Sequence, residues 1–469
     1  MNFVTKRYKN MTESEIKSIV AAQNGYFRTH KTFDVAFRIQ ALKRLREAIK
    51  KHEDEICEAL RTDIGKSAYE SYMCEIGMTL GELSYIIKHL RRWARPHRVA
   101  THLGNFPSIS KVIQEPFGTV LIMSPWNYPI LLSFEPLIGA IAAGNTAVLK
   151  PSNYSPNCSK IVQSIVEETF ERGHVDVITG GRAENTALLE QKFDYIFFTG
   201  SPSVGKLVME KASAHLTPVT LELGGKSPVI IDHTANLKLA ARRLCFGKYV
   251  NCGQTCIAPD YLMIEESIKE EFLGYYKQFA KEMYGENPLE DPTYGKIVNI
   301  KHFTRVRGLI DRAKVIYGGR YNEATLQIEP TIMDNVTADD AIMKEEIFGP
   351  ILPVMTWKNI ADVEQFIINR AKPLACYVFT NDKSIEERFT KYVSFGGGCI
   401  NDVINHIATE TMGFGGVGES GMGSYHGKLT FQTFSHAKSM IKKSQRIDLP
   451  MRYRPYKKYY DKIIHLIMR

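Results

Sequence analysis

Four short segments of this 469-residue chain hold the residue types that could do chemistry. Leu221-Glu222-Leu-Gly-Gly-Lys-Ser227 places a carboxylate just before a glycine turn, and Asn251-Cys252-Gly-Gln-Thr-Cys256 places a thiol just after another. Pro125-Trp126-Asn127-Tyr-Pro129 puts a side-chain amide behind an apolar run, and Glu345-Glu346-Ile-Phe348-Gly-Pro350 sets a carboxylate beside an aromatic ring. A thiolate is a nucleophile, a carboxylate can take a proton, and an amide can donate to a developing oxyanion. Taken singly, each segment also has a plainer reading. A cysteine is commonly a small core residue, Glu222 could be solvated, and Phe348 could be packing. The Cys252/Cys256 spacing would suit a metal, but no second Cys or His cluster accompanies it, so no metal site is expected.

Two glycine motifs sit beside these. Thr199-Gly200-Ser201-Pro-Ser-Val-Gly205-Lys206-Leu207 follows an apolar run and precedes a helical pattern, which reads either as a backbone anion site or as an ordinary strand-to-helix turn. Its spacing approaches a phosphate loop, but Leu207 stands where that loop needs a magnesium-binding hydroxyl. Gly413-Phe-Gly415-Gly-Val-Gly418 satisfies the dinucleotide fingerprint literally, yet no strand precedes it and no helix follows, so it reads as an extended glycine-rich loop.

The elements that must position these residues follow from periodicity. Residues 13–61 read as two amphipathic helices and 73–93 as a third, while residues 95–110 lack a pattern. From residue 112 short apolar runs alternate with helical stretches: strands at 118–123, 146–150, 175–178 and 195–198, with helices around 136–143 and 157–170 between them. That alternation predicts an α/β fold with a doubly wound parallel sheet, and residues 227–231 open a second α/β unit.

Composition narrows the classes. The length implies two or three domains, and 44% hydrophobic with 24% charged residues is globular. Eight scattered cysteines suit a reducing compartment rather than a disulfide scaffold. The basic start Met1-Asn-Phe-Val-Thr-Lys-Arg7 is followed by no apolar stretch of signal-peptide length, and no run approaches the roughly 18 apolar residues of a spanning helix. A soluble, cytoplasmic protein is expected. The net charge of +9 is concentrated: residues 438–469 hold ten Lys/Arg against two Asp, leaving the rest close to neutral. A nucleic-acid partner is therefore not expected.

Together the four segments resemble the aldehyde dehydrogenase superfamily over about residues 46–456, and the details resemble its class 3 branch of fatty and aromatic aldehyde dehydrogenases. The resemblance implies Cys256 as the nucleophile that forms a hemithioacetal and then a thioester, Asn127 and the Cys256 N–H as oxyanion donors, and Glu222 as the base for hydrolysis. It also implies NAD and/or NADP, bound in a Rossmann-like fold by Trp126, Lys150, Asn153, Gly200, Ser201, Gly205, Glu346 and Phe348. Many relatives carry a glutamate where this chain has Asn153. A carboxylate there would repel a 2′-phosphate and an amide could bind it, so use of NADP alongside NAD is expected. Two rival readings are a coenzyme-A-acylating semialdehyde dehydrogenase and a catalytically silent relative. Retention of Glu222 argues against the first, and the intact Cys256, Glu222 and Asn127 against the second.

The implied organisation is a cofactor domain from 1–94 and 120–221, a catalytic domain from 222–410, and a β-arm from 95–119 and 411–452 that makes a homodimer. Residues 453–469 form a basic tail in which Tyr456, Tyr459, Tyr460, Ile463, Ile464 and Ile467 share one helical face. The tail is expected to pack on the dimer or gate a hydrophobic substrate entrance, with peripheral membrane contact as the other reading. The substrate is expected to be a medium- or long-chain aliphatic or an aromatic aldehyde.

Overall fold

Five parallel strands make up most of the first sheet in the computed structural model, which describes residues 11–468. The basic Met1–Arg7 start and Arg469 lie outside the described residues. Across the sheet the strands run Val219–Glu222, Tyr195–Thr199, Thr119–Met123, Thr146–Lys150 and Val175–Val177, all parallel. Three of them, Thr119–Met123, Thr146–Lys150 and Tyr195–Thr199, are buried at every position, as expected where helices cover both faces. The strand order reverses between Thr119–Met123 and Tyr195–Thr199, which opens a crevice at their C-terminal ends.

The helix Leu131–Ala143 is apolar nearly all round and entirely buried. It starts earlier than the sequence pattern suggests because a distant carboxylate caps it. Glu75 Oε2 accepts from the N–H groups of Ile130 and Leu131 at 2.8 and 3.3 Å, satisfying donors that a helix start leaves free. Gly144 ends it at φ +99°, and a side chain there would collide with the Arg38 guanidinium, which donates to the Ala142 carbonyl.

A second sheet carries the other half of the chemistry. Its order is Val315–Tyr317, Thr331–Met333, Ile351–Trp357, Tyr261–Glu265, Pro228–Ile231, Ala375–Phe379 and Gly397–Ile400, with only Val315–Tyr317 antiparallel. One hydrophobic core joins the N-terminal helices, both sheets and the late residues Phe414, Tyr425, Phe431 and Phe434. This shared core packs the crevice of the first sheet against the loops of the second.

Several elements differ from the periodicity reading. Residues 13–64 form three helices, Glu13–Arg28, Val35–Lys51 and Glu53–Ile64, because Asp34 caps the second and the chain turns at His52 without losing its apolar spacing. The unpatterned stretch near residue 100 supplies His97–Val99 and Ser108–Pro116 to a three-stranded antiparallel sheet completed by Ser435–Lys443. Pairing to a strand more than 300 positions away leaves no local signature. Within 411–452, Gly421–Met422 instead pairs with Val219–Glu222 on the first sheet. Among the described residues the tail forms a short 3-10 turn at Lys458–Tyr460 and an α-helix at Asp461–Ile467, neither with a buried residue, and the helix touches the Leu103–Asn105 turn. Among the described residues no helix is long and apolar enough to cross a membrane.

Candidate active site

The strand ends deliver the chemical groups to one cleft of about 620 Å³, within the usual range for small-molecule sites. Thr119–Met123 runs into Pro125-Trp126-Asn127, Val219–Glu222 ends on its carboxylate, and the turn before Tyr261–Glu265 carries Cys256. All of Trp126, Asn127, Gly200, Ser201, Glu222, Cys256, Glu346 and Phe348 line this cleft.

The turn before Cys256 is held in a sparsely populated conformation. Asn251 and Cys252 both have φ +53°, followed by Gly253 at +70°. A Cβ on Gly253 would lie 2.4 Å from the Gly349 carbonyl oxygen, so only glycine fits. Glu70 accepts from the Asn251 N–H at 2.8 Å, and the Asn251 side chain donates to the Asn127 carbonyl at 2.8 Å. Asn127 is buried, and its Nδ2 donates to the Gln254 carbonyl at 3.0 Å. An amide nitrogen has two hydrogens, so one remains to meet a ligand.

Asn127 and its neighbour are braced from below. Lys66 and Glu75 form an ion pair with both side chains fully buried. Lys66 Nζ sits 4.2 Å from the centre of the Tyr128 ring, and Tyr128 hydrogen-bonds Thr255, next to Cys256, at 2.7 Å.

The electrostatics are dominated by desolvation. Burial pushes the Cys256 thiol up, and the charges of Glu346 and Glu222 push the same way, while the N–H groups of Cys256 and Ile257 oppose them. Glu222 is 2% exposed, neither of its carboxylate oxygens has a hydrogen-bond partner, and burial holds its pKa well above the usual range. Burial also lifts Glu346 to about 8, against the Gly225 N–H. Glu346 approaches so closely that a Cβ on Gly224 would lie 2.1 Å from its Oε2.

The cleft fits a dinucleotide. It lies at the strand-order reversal, and Gly200 and Ser201 lead into the 12-residue helix Pro202–Ser213, whose first N–H groups face outward at its start. A Cβ on Gly200 would lie 2.6 Å from the Phe198 ring, which keeps this backbone bare. Trp126 and Phe348 meet edge to face at 5.4 Å and wall the opposite end.

Three of the expected cofactor residues lie off the cleft lining. Lys150 is buried at the next strand end, donating to the Pro151 and Gly180 carbonyls, and burial lowers it to about 8. Asn153 is exposed, with its amide beside Gly181. Gly205 packs under Leu223, where a Cβ would come within 2.7 Å. Sequence reasoning missed His302, which packs on Trp126 at 5.3 Å, and Arg305, which donates to the Glu346 and Ile347 carbonyls. Both lie on Ile300–Arg307, a short helix whose basic residues read as solvated.

A model of the Aldehyde dehydrogenase family matches residues 2–440. The 4,4'-diaponeurosporen-aldehyde dehydrogenase of Staphylococcus aureus is 49% identical over 434 residues, 92% of this chain and 95% of that protein. The dimeric NADP-preferring aldehyde dehydrogenase of Canis lupus familiaris is 43% identical over 429 residues, 91% of this chain and 94% of its own. The substrate-bound structure of Staphylococcus aureus AldH superposes with a TM-score of 0.95 at 47% identity, covering 97% of this chain and 99% of the other.

Proposed function

The chain belongs to the aldehyde dehydrogenase family, and from that premise we propose that Cys256, Glu222 and Asn127 carry out its chemistry. The enzyme oxidises aldehydes with NAD or NADP, and it resembles the fatty and aromatic aldehyde dehydrogenases. The observation that carries the assignment is the meeting of these three side chains in one cleft.

Cys256, as thiolate, adds to the aldehyde carbonyl carbon, and the new oxyanion is met by the Asn127 Nδ2 and the Cys256 N–H. When bound, the nicotinamide coenzyme supplies the hydride acceptor. Cys256 then holds the acyl group as a thioester. Glu222 takes a proton from water, the hydroxide adds to the thioester carbonyl, and the C–S bond breaks to release the acid. Burial favours a protonated resting Glu222, so the base form is scarce but strong when present.

Within the cleft, Gly200, Ser201 and the start of Pro202–Ser213 would hold the pyrophosphate, with Glu346, Phe348 and Trp126 at the nicotinamide end. Lys150 and Asn153, beyond the cleft lining, would hold the adenosine ribose, and Gly205 would support the turn from beneath. The apolar cluster of Tyr128, Leu131 and Leu132 with Cys74 and Met78 borders Asn127, which supports a medium- or long-chain aliphatic or an aromatic aldehyde. The name of the Staphylococcus aureus relative accords with an apolar aldehyde.

The division into a cofactor domain, a catalytic domain and a β-arm is supported by the six-, seven- and three-stranded sheets, although Gly421–Met422 of the arm segment joins the first sheet, and a homodimer forms through the arm. Ser435–Lys443 lies at an edge of its sheet and exposes Met440 and Ile441, and the canine relative is named as dimeric. The tail packs on the dimer or gates the substrate entrance, with peripheral membrane contact as the second reading, and the compartment is the cytoplasm.

The test is purified protein with NAD or NADP and an aldehyde panel, beside Cys256→Ser. Coenzyme reduction that disappears in the variant supports the assignment. Turnover only with added coenzyme A would favour the acylating reading, and coenzyme binding without turnover on any aldehyde would favour a silent relative.

A further inference from the structure

Aldehyde oxidation consumes one water, and both of its hydrogens end as protons while the aldehyde hydrogen leaves as hydride. On the reading above, the first of these protons is taken by Glu222, which is buried with no partner for either oxygen. Glu222 must discharge before the next turnover, so a route from it to solvent is a chemical requirement.

The strand facing Glu222 leads to a set of groups the mechanism has not used. Gly421 stands opposite Glu222 across an antiparallel pair, and the chain continues within five residues to Tyr425 and His426. The Tyr425 hydroxyl and His426 Nε2 are buried without partners, and so are Glu135 Oε2 and Glu82 Oε2. His426 Nε2 lies 3.6 Å from Glu135 Oε2. Glu82 is tied to the same turn, because its other oxygen accepts from the Gly427 N–H at 2.7 Å and the Thr430 hydroxyl at 3.3 Å. Beyond Glu82 stands the half-buried Glu410, with its carboxylate against Gly81 and its carbonyl against Gly427.

Four unpaired buried polar groups in one place are costly to fold and call for an explanation. His426 adds another, since it has φ +90°, a conformation that favours glycine. We propose that Tyr425, His426, Glu135 and Glu82 form a proton-release relay that carries the proton accepted by Glu222 to the surface at Glu410. Water completes the links between their unpaired atoms. The electrostatics agree: burial raises the Tyr425 hydroxyl well above its usual range, and the charges of Glu135 and Glu82 in the cluster and of Glu222 and Cys256 in the cleft add to it. Burial lifts Glu82 to about 7, with the Glu410 charge adding to it, close to the range in which a carboxyl both takes and gives protons at neutral pH. Burial also keeps His426 neutral at that pH, leaving one ring nitrogen to accept.

These residues act through Glu222 rather than on substrate, so the test separates thioester formation from its hydrolysis. Stopped-flow coenzyme reduction is followed for the wild type, Glu135→Gln, Glu82→Gln and Glu222→Gln. In both relay variants the first turnover of coenzyme keeps its rate within about twofold, while the steady-state rate falls on the order of 10²-fold, the scale of one acid–base contribution. Added imidazole restores the steady state in the relay variants, and Glu135→Asp keeps partial activity. First-turnover and steady-state rates falling together, an unchanged steady state, or no rescue by imidazole overturns the relay. If Glu135→Gln does not fold, Glu82→Gln at the far end carries the same comparison. Should Glu222→Gln retain full steady-state turnover, the assignment of the base fails, whereas failure confined to Glu135 and Glu82 overturns only the relay.

Discussion

Asn127 Nδ2 donates to the carbonyl oxygen of Gln254 at 3.0 Å, which ties the strand end of the first sheet to the turn that presents Cys256. The bond gives the amide a fixed orientation and leaves one hydrogen free, which on the proposed mechanism meets the substrate oxygen. Asn127→Ala is expected to lower kcat by about 10²–10³-fold, the effect of removing one oxyanion donor. Asn127→Asp should be no better, because a carboxylate supplies no donor. Steady-state kinetics with a fixed aldehyde checks both, and near-normal kcat in Asn127→Ala would remove the amide from the mechanism.

Lys66 and Glu75 carry that geometry from beneath. Losing one partner of a fully buried pair leaves the other uncompensated, so Lys66→Met should cost about 3–5 kcal/mol in denaturant unfolding. Glu75→Gln should cost stability in the same direction and loosen the start of Leu131–Ala143. Replacing both residues by apolar ones should recover much of the stability but not kcat, since the brace under Asn127 is gone.

Burial sets the pH dependence of turnover. Both Cys256 and Glu222 are shifted upward, and both act in their deprotonated forms. Deprotonated populations grow with pH, so kcat and kcat/KM should climb through neutral into alkaline pH rather than level off just above the carboxylate range. The climb in kcat should flatten in Glu222→Gln. A wild-type kcat already level from about pH 5 upward would contradict a desolvated base.

Coenzyme choice should respond at Asn153. Asn153→Glu is expected to lower kcat/KM for NADP on the order of tenfold while sparing NAD, as a carboxylate repels a 2′-phosphate at a solvent-exposed site. Parallel measurements with both coenzymes test this, and an unaltered ratio would place the 2′-phosphate elsewhere.

Much of the site was legible because its parts are local. Glu222 and Cys256 sit beside glycine turns, Asn127 ends an apolar run, and Gly200 opens a strand-to-helix turn; each signature spans fewer than ten residues. The rejection of Gly413–Gly418 as a nucleotide fingerprint agrees with its place as a loop beside Tyr425, outside the cleft lining. The groups that hold the site in place were not legible. Glu75 looks like one more helical carboxylate, and His302 and Arg305 like a solvated face. His426 and Glu135 lie almost 300 positions apart and meet only through packing.

The sequence by itself determined the alternation of strands and helices, the chemical types at the turns and the family to which they belong, because propensity, glycine placement and apolar spacing act over a few residues. Tertiary structure alone decided that Asn127, Glu222 and Cys256 share one cleft, that Glu75 caps a helix far along the chain, and that Glu222 loses its water. Convergence depends on how strands cross over and which side chains fill one core, and a pKa depends on the desolvation that core imposes. Both are properties of the packed chain rather than of any segment of it.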